Sequence, residues 1–235
     1  MRRAATRFLH RTGVVAAALA AAAVFAPSAS AALWCDGESE SYSYAGVIEL
    51  RRAHGIVATV TALSAPRVEW GHVAGWVGVG GPNAGPNGEA EWIQVGYSGF
   101  YGGESKLYYE VTRPGSAPRY HEVDATVSIG ERHRVAVAEI RRRPNWWRVW
   151  VDGRAVSDPV YLPGSHGAWQ PMAIGETWNA GRPTCNSFTY RFDRVKVAGR
   201  AGRAWRRPVD VYELEDRGYR VVRPSAASFI AQADA

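Results

Sequence analysis

Gln94 and Glu176 are the residues in this sequence whose side chains are best suited to chemistry. Each lies in a short stretch of apolar and aromatic residues with the composition of a β-strand, at 91–97 and 173–178. Burying an amide or a carboxylate for packing alone is costly, which favours a functional role for both side chains. A carboxylate can take a proton from water as a general base, and an amide N–H can stabilise the oxyanion that forms when water adds to a carbonyl group. The pair is therefore suited to hydrolysis.

The two faces of these stretches differ in composition. Successive residues of a strand point to opposite sides, so Gln94 shares its side with Trp92, and Glu176 shares its side with Trp178. In the stretch 106–111, Glu110 points away from the apolar residues in the same way. Several strands thus combine one aliphatic face with one face of tryptophan, tyrosine, glutamine and glutamate. A face of this kind is suited to ligand binding.

Short strands must position these side chains. Valine, tyrosine and tryptophan are abundant, 25 glycines and 13 prolines punctuate the chain, and no long segment has apolar residues at helical spacing. Asp152-Gly153 is a strong hairpin signal. This pattern predicts an all-β fold, an antiparallel β-sandwich or jelly roll. The predicted strands are 43–51, 56–62, 74–79, 90–97, 106–111, 119–127, 134–141, 146–151, 172–178 and 188–197.

The first 31 residues have the pattern of a secretory signal peptide. Four arginines between Arg2 and Arg11 precede an apolar run at 14–26, and Ala29-Ser30-Ala31 fits a cleavage site. The apolar run is shorter than the roughly 20 residues that a membrane-spanning helix needs. We therefore predict that residues 1–31 are removed and that the mature protein is secreted, with no membrane attachment.

Loss of this leader changes the charge balance. The chain has 28 Lys and Arg against 22 Asp and Glu, and four of the arginines lie in the leader, which leaves a net charge of +2. Short basic runs remain at 141–143 and 203–207, and runs of this length are typical of solvated turns. No nucleic-acid partner is predicted.

The histidines outside the leader have no spacing typical of metal ligands, so no metal and no other cofactor is predicted. They are His54, His72, His121, His133 and His166.

The 204 residues after the leader are enough for one domain with a sizeable core, and we predict a monomer. The β-sandwich is placed at 32–198. Residues 199–235 form a C-terminal extension, with a linker at 203–208, one further strand at 209–215 and a loosely ordered tail from 224.

Two cysteines, Cys35 and Cys185, fall in the exported part of the chain. An oxidising compartment favours a disulfide between them, and two free thiols are the alternative.

Four motifs, taken together, resemble the glutamic peptidases, or eqolisins, in order and spacing. The resemblance spans residues 76–197. The motifs are WVGVGG at 76–81, WIQVG at 92–96, LYYEVTRP at 107–114 and AIGETW at 173–178.

The resemblance implies a concanavalin A-like sandwich and a secreted endopeptidase that acts on polypeptides without a cofactor. Gln94 then stands at the position of the family's catalytic glutamine, and Glu176 stands at that of the catalytic glutamate, as general base and acid. Trp76 matches the tryptophan that lines the site, and Glu110 matches a further glutamate near it. Trp92 and Trp178 are assigned to substrate binding on their shared face.

Two other functions stay open. The aromatic face also suits a non-catalytic module that binds carbohydrate or another polymer, because sugar rings stack on indoles. The protein can also be a catalytically decayed relative, because Ser98 and Lys106 stand where carboxylates are expected from the resemblance.

Overall fold

The computed structural model describes residues 42–182, 184–225 and 227–233, and β-strands dominate these ranges. One short 3-10 helix, Pro86–Gly88, interrupts them. The strands are β1 (Tyr42–Glu49), β2 (Gly55–Ala62), β3 (His72–Gly81), β4 (Glu91–Phe100), β5 (Ser105–Thr112), β6 (Arg119–Val127), β7 (Arg132–Glu139), β8 (Trp146–Val151), β9 (Arg154–Ala155), β10 (Val160–Tyr161), β11 (Pro171–Trp178), β12 (Phe188–Arg200), β13 (Arg203–Arg206), β14 (Val211–Glu215), β15 (Tyr219–Ser225) and β16 (Ser228–Ala233).

Antiparallel pairing divides the strands into two sheets. The front sheet has the order β14-β1-β11-β3-β4-β5-β6. The back sheet has the order β10-β8-β7-β2-β12-β16-β15, with β13 paired to β12 and β9 paired to β8. The predicted all-β antiparallel sandwich is confirmed, and each strand predicted between residues 43 and 197 has a counterpart.

The predicted hairpin turn at Asp152 and Gly153 joins β8 to β9. Both residues have positive φ, 48° and 81°. Positive φ at two central residues is the geometry of a type I′ turn, which matches the twist of the strands on either side.

The main core lies between the two sheets and is formed by alternate residues of their strands. On β4, Ile93 and Val95 point inward, and on β12, Phe188, Tyr190 and Phe192 do so; all five are at most 1% exposed. Aromatic side chains of this size contribute much of the burial energy.

A second and smaller apolar cluster lies on the outer face of the front sheet. It contains Ala74, Trp76, Tyr108 and Ile174. These residues alternate in sequence with core residues of the same strands, so the front sheet is apolar on both faces. A buried cluster on the outer face of an open sheet marks a concave or covered region, where a ligand can bind.

Two paired glycines let aromatic residues of the back sheet pack against the front sheet. Gly75 of β3 lies opposite Gly175 of β11. A Cβ atom at Gly75 would lie 2.5 Å from Cγ of Tyr190, and one at Gly175 would overlap Phe188. The two rings are stacked with their centroids 5.3 Å apart. The missing side chains therefore provide the space that this stack fills.

The C-terminal segment is part of the sandwich, which corrects the prediction of a linker and a loose tail. β13 lies within the predicted linker, and β15 and β16 form a hairpin whose second strand pairs with β12. Phe229, Ala231 and Ala233 alternate along β16 and are buried. Because two of these three inward residues are alanine, the hydrophobic alternation is weak in the sequence. The strand predicted at 209–215 is confirmed as β14.

The predicted signal peptide and Cys35 lie outside the described residues. Cleavage of the leader, secretion and a disulfide between Cys35 and Cys185 therefore stay predictions. Within the described ranges, no helix is long and apolar enough to cross a lipid bilayer.

Glu91 is a buried carboxylate on the core side of the front sheet. It is the first residue of β4, on the same face as Ile93 and Val95, and its side chain is 0% exposed. Within the described residues neither carboxylate oxygen has a hydrogen-bond partner. Burial raises the pKa of Glu91 from 4.5 to about 7, although the charge of Arg113 acts in the opposite direction. The folded state therefore holds this side chain in its neutral form more strongly than the unfolded chain does.

Gly75→Ala tests the glycine pair. The added methyl group meets the Tyr190 ring, and we expect the free energy of unfolding to fall by about 1–3 kcal/mol, as for other overpacked cores. Gly199→Ala is the matched control, because Gly199 lies in β12 and a Cβ there would have no neighbour nearer than 3.5 Å. Urea denaturation of both variants measures the difference. An equal effect of the two substitutions contradicts the assigned role of Gly75.

Glu91→Gln tests the buried carboxylate. Because the pKa of Glu91 is raised in the folded state, its contribution to stability is fully present below pH 4.5 and is lost as the pH rises to about 7. Glutamine stays neutral, so we expect the stability of the variant relative to the unmodified protein to increase between these pH values and then level off. Melting temperatures across the pH range check this. Glu104→Gln, at an exposed position, should show no such rise, and a pH-independent difference for Glu91→Gln contradicts the prediction.

Candidate active site

The six residues predicted from the sequence as site residues all line one cavity on the outer face of the front sheet. Its volume is about 650 Å³. The catalytic candidates Gln94 and Glu176 and the binding candidates Trp76, Trp92, Glu110 and Trp178 contribute to its walls. Its aromatic lining residues are Tyr42, Tyr44, His72, Trp76, Trp92, Phe100, Tyr108, Tyr120 and Trp178.

Three neighbouring strands bring Gln94 and Glu176 to this cavity from distant parts of the chain. β3 lies between β11, which carries Glu176, and β4, which carries Gln94. Glu176 is paired with Ala74, and Gln94 is paired with Gly78. Trp76 lies halfway between those two positions of β3 and on the same face. Gln94 and Glu176 therefore lie on either side of β3 and four register positions apart, and Trp76 lies between these positions.

Among the described residues, Gln94 makes one side-chain hydrogen bond, from its amide. Its side chain is nearly buried, and Nε2 donates to the hydroxyl of Tyr108 at 2.9 Å. Gly78 faces it on β3, where a Cβ atom would lie only 2.8 Å from Cβ of Gln94. An amide nitrogen carries two N–H groups, so one orients the side chain on Tyr108 and the other is available to a ligand in the cavity.

Tyr108 is a neutral hydroxyl at the base of the cavity. Burial raises its pKa well above 10, and the nearby charges of Glu176 and Glu110 raise it further. Its ring is stacked on that of Tyr120, with centroids 5.1 Å apart and planes 12° from parallel. Tyr108 therefore stays protonated and fixed in place, as a support for the amide of Gln94.

Glu176 lies beside a histidine. The carboxylate is 6% exposed, and its Oε1 is 3.4 Å from Nε2 of His72. The imidazole also contacts Trp178, with ring centroids 5.5 Å apart. The contact with His72 limits the directions that the Glu176 carboxylate can take, and Glu176 lines the cavity.

Glu110 provides a second carboxyl group in the cavity. Burial raises the pKa of Glu110, the hydrogen bond from Trp92 Nε1 at 2.9 Å lowers it, and the charge of Glu176 raises it. The pKa of Glu110 therefore depends on the charge of Glu176 in the same cavity.

Four of the lining residues that were not assigned from the sequence were missed for identifiable reasons. His72 belongs to the same alternating face as Trp76, but β3 begins two residues before the predicted strand. Tyr42 and Tyr44 lie on β1, for which no face was assigned. Tyr108 shares its face with Glu110 by strand alternation, but its contact with Gln94 depends on the register of β4 and β5.

The two positions where carboxylates are expected from the resemblance make other contacts. Ser98 lines the cavity and its hydroxyl is hydrogen-bonded to that of Tyr120 at 2.9 Å. Lys106 donates to Glu122 at 2.6 Å, at the surface of the front sheet. Neither position therefore provides a carboxylate to the cavity.

Comparison with solved structures identifies the same fold in glutamic peptidases. Scytalido-glutamic peptidase with a transition-state analogue inhibitor matches with a TM-score of 0.57 and 15% identity, over 83% of this chain and 99% of that chain. The structure of the same peptidase with a peptide-based transition-state analogue matches with a TM-score of 0.56 and 12% identity, over 85% of this chain and 100% of that chain. SCP-B, a member of the eqolisin family in a complex with the tripeptide Ala-Ile-His, matches with a TM-score of 0.52 and 14% identity, over 83% of this chain and 99% of that chain.

No family model matches the sequence, and no curated protein does so. The structural similarity shows a shared fold. At 12–15% sequence identity it does not assign roles to individual residues. The eqolisin-like, concanavalin A-like sandwich predicted from the four motifs is confirmed, and the roles of the cavity residues rest on their own geometry.

Trp92→Phe tests the electrostatics of the cavity. The substitution removes the N–H that lowers the pKa of Glu110, so we expect that pKa to rise. Titration of the side-chain carboxyl carbons by NMR measures it. Trp178→Phe is the control, because Trp178 lines the same cavity but Glu110 accepts no hydrogen bond from it. A lower or unchanged pKa of Glu110 in Trp92→Phe contradicts the assignment.

Proposed function

We propose that this protein is an endopeptidase of the glutamic type, in which Gln94 and Glu176 hydrolyse peptide bonds with an activated water. One observation carries the proposal. An amide and a carboxylate that are 82 residues apart in the sequence line one aromatic cavity, on the outer face of a sheet whose fold is shared with glutamic peptidases.

In the proposed reaction Glu176 is the general base and then the general acid. Its carboxylate takes a proton from a water molecule as the water oxygen forms a bond to the carbonyl carbon of the substrate. The free N–H of Gln94 donates to the oxyanion of the tetrahedral intermediate. The protonated Glu176 then gives its proton to the amine nitrogen, the C–N bond breaks, and a carboxylic acid and an amine are released.

The surrounding side chains support these roles. Tyr108 holds the amide of Gln94 in one orientation, and His72 does the same for Glu176. Trp76 and the other rings give the cavity a largely apolar lining, which strengthens electrostatic interactions within it. The aromatic lining also suits the apolar side chains of an unfolded polypeptide.

The proposed cellular setting follows from the leader. Export, cleavage of residues 1–31, the disulfide between Cys35 and Cys185 and a monomeric state are all part of the proposal. A secreted peptidase would act on extracellular polypeptides.

A carbohydrate- or polymer-binding module is the second candidate, favoured by the number of aromatic rings that line the cavity. A catalytically decayed relative is the third, favoured by the neutral contacts of Ser98 and by the surface position of Lys106. Neither function needs a proton acceptor at Glu176.

Cleavage of denatured casein from pH 2 to pH 8 tests the proposed function. We expect the unmodified protein to produce new N-termini, and Glu176→Gln to lower kcat/KM by about 10²–10⁴-fold, the range typical of a lost general base. Gln94→Ala should lower it by about 10²–10³-fold, as for a lost oxyanion donor. Glu122→Gln is the matched control, since it also neutralises a carboxylate of the front sheet but lies outside the cavity lining.

Two results distinguish the alternatives. If the unmodified protein releases no peptides at any pH, or releases as many as Glu176→Gln, the peptidase proposal is wrong. If soluble polysaccharides then quench the tryptophan fluorescence of the unmodified protein and of Glu176→Gln equally, the cavity belongs to a binding module.

A further inference from the structure

Three residues of the back sheet and its loops converge outside the cavity lining. His54 directly precedes β2, Glu139 is the last residue of β7, and His166 lies in the loop between β10 and β11. We name them the back-sheet cluster. Glu139 is 85 residues from His54 and 27 from His166 in the sequence, which is why no metal-ligand spacing was visible.

Glu139 is the centre of the cluster. Its side chain is 0% exposed, Oε2 lies 2.6 Å from Nδ1 of His54, and Oε1 lies 2.8 Å from Nδ1 of His166. One potential ligand atom from each of the three residues lies within 4.8 Å of the others. A carboxylate removed from water in this way requires strong partners, either N–H donors or a cation.

The surroundings hold the three side chains in a convergent arrangement. The backbone N–H of Glu139 donates to the carbonyl oxygen of His54 at 2.9 Å. The backbone N–H of Asn145 donates to Oε1 of Glu139 at 2.7 Å, and Oδ1 of Asn145 accepts from the backbone N–H of His166 at 2.8 Å. In protein metal sites, hydrogen bonds from surrounding residues regularly orient the side chains that bind the ion.

We propose that His54, Glu139 and His166 form a binding site for a divalent transition metal, with Zn²⁺ as the ion that suits them best. Two imidazoles and one carboxylate are a donor set that zinc accepts, with a fourth position taken by water. His166 is half exposed, so an ion can enter from solvent and a water can complete the coordination.

The spacing is close to what zinc requires. Bonds of about 2.0–2.1 Å in a tetrahedral site set neighbouring ligand atoms roughly 3.4 Å apart. The two observed nitrogen to oxygen distances, 2.6 and 2.8 Å, are those of hydrogen bonds. Entry of the ion moves the proton of each ring from Nδ1 to Nε2. It also widens these nitrogen to oxygen distances by less than about 1 Å, and the half-exposed side chain of His166 can move by this amount.

In this proposal the metal takes no part in the chemistry of the cavity, because no member of the cluster lines it. The loop of His166 also carries Trp169. The carbonyl oxygen of Trp169 accepts a hydrogen bond from the backbone N–H of Ala53, and its Nε1 donates to the carbonyl oxygen of Ala84 at 3.0 Å. Ala84 belongs to the connection between β3 and β4. Pro82 of that connection and Gly81 at the end of β3 line the cavity. A bound ion therefore stabilises the loop that supports one wall of the candidate active site.

Titration of the chelator-treated protein with Co²⁺ and Zn²⁺ tests the metal site. Co²⁺ should give visible d–d absorption bands that saturate at one ion per chain and disappear on addition of Zn²⁺. Zn²⁺ should raise the melting temperature, since a ligand that binds only the folded state stabilises it. Neither measurement depends on peptidase activity, so failure of the site and failure of the proposed function can be distinguished.

His166→Ala removes one ligand from the exposed side of the cluster and should abolish both the Co²⁺ bands and the shift in melting temperature. His121→Ala is the matched control, because His121 is also exposed and lies outside the cluster. Absence of Co²⁺ bands in the unmodified protein overturns the proposal, and so does equal metal binding by His166→Ala and the unmodified protein. In either case the cluster is a hydrogen-bonded carboxylate held by two imidazoles.

Discussion

The contact between the paired glycines of the front sheet and the aromatic stack of the back sheet is the constraint on which the candidate active site depends. Gly75 and Gly175 lie opposite each other, and the rings of Phe188 and Tyr190 occupy the space that side chains would otherwise take. Trp76 directly follows the first glycine. Because strand residues alternate between faces, close packing on the inner side fixes the direction of the neighbouring side chains on the outer side.

The same packing explains why the C-terminal hairpin matters to the site. A Cβ atom at Gly175 would lie 3.0 Å from Cβ of Ala231, so this residue of β16 lies directly beneath β11. The hydroxyls of Thr177 and Tyr219 are hydrogen-bonded at 2.5 Å. Glu176 lies between Gly175 and Thr177, so two contacts with the hairpin support the strand on either side of the candidate catalytic carboxylate.

The outer face combines aromatic burial with unequal environments for its polar groups. Tyr108 is kept neutral by burial and orients an amide, while Glu110 and Glu176 share a cavity and have different partners, an indole N–H and an imidazole. Burial and local hydrogen bonds thus set the environment of each polar group on this face individually. This arrangement gives Tyr108 an orienting role beside Gln94.

Local patterns in the sequence were sufficient to predict the strands between residues 43 and 197 and the hairpin at Asp152. They also predicted the sheet face to which Gln94 and Glu176 point. These features depend on alternation and on turn residues, which are properties of neighbouring positions. The alanine-rich strand β16 was missed, because small inward residues give a weak alternation. β3 extends two residues beyond each end of the predicted strand, and His72 was therefore not recognised as a site residue.

Sequence alone thus determined the sandwich class and a set of six residues that belong on one face. Only the tertiary structure decided which strands are neighbours, and with that the contact of Gln94 with Tyr108, the approach of His72 to Glu176, and the convergence of His54, Glu139 and His166. The physical reason is that alternation sets the side of the sheet to which a residue points, whereas register and strand order depend on the packing of residues far apart in the chain.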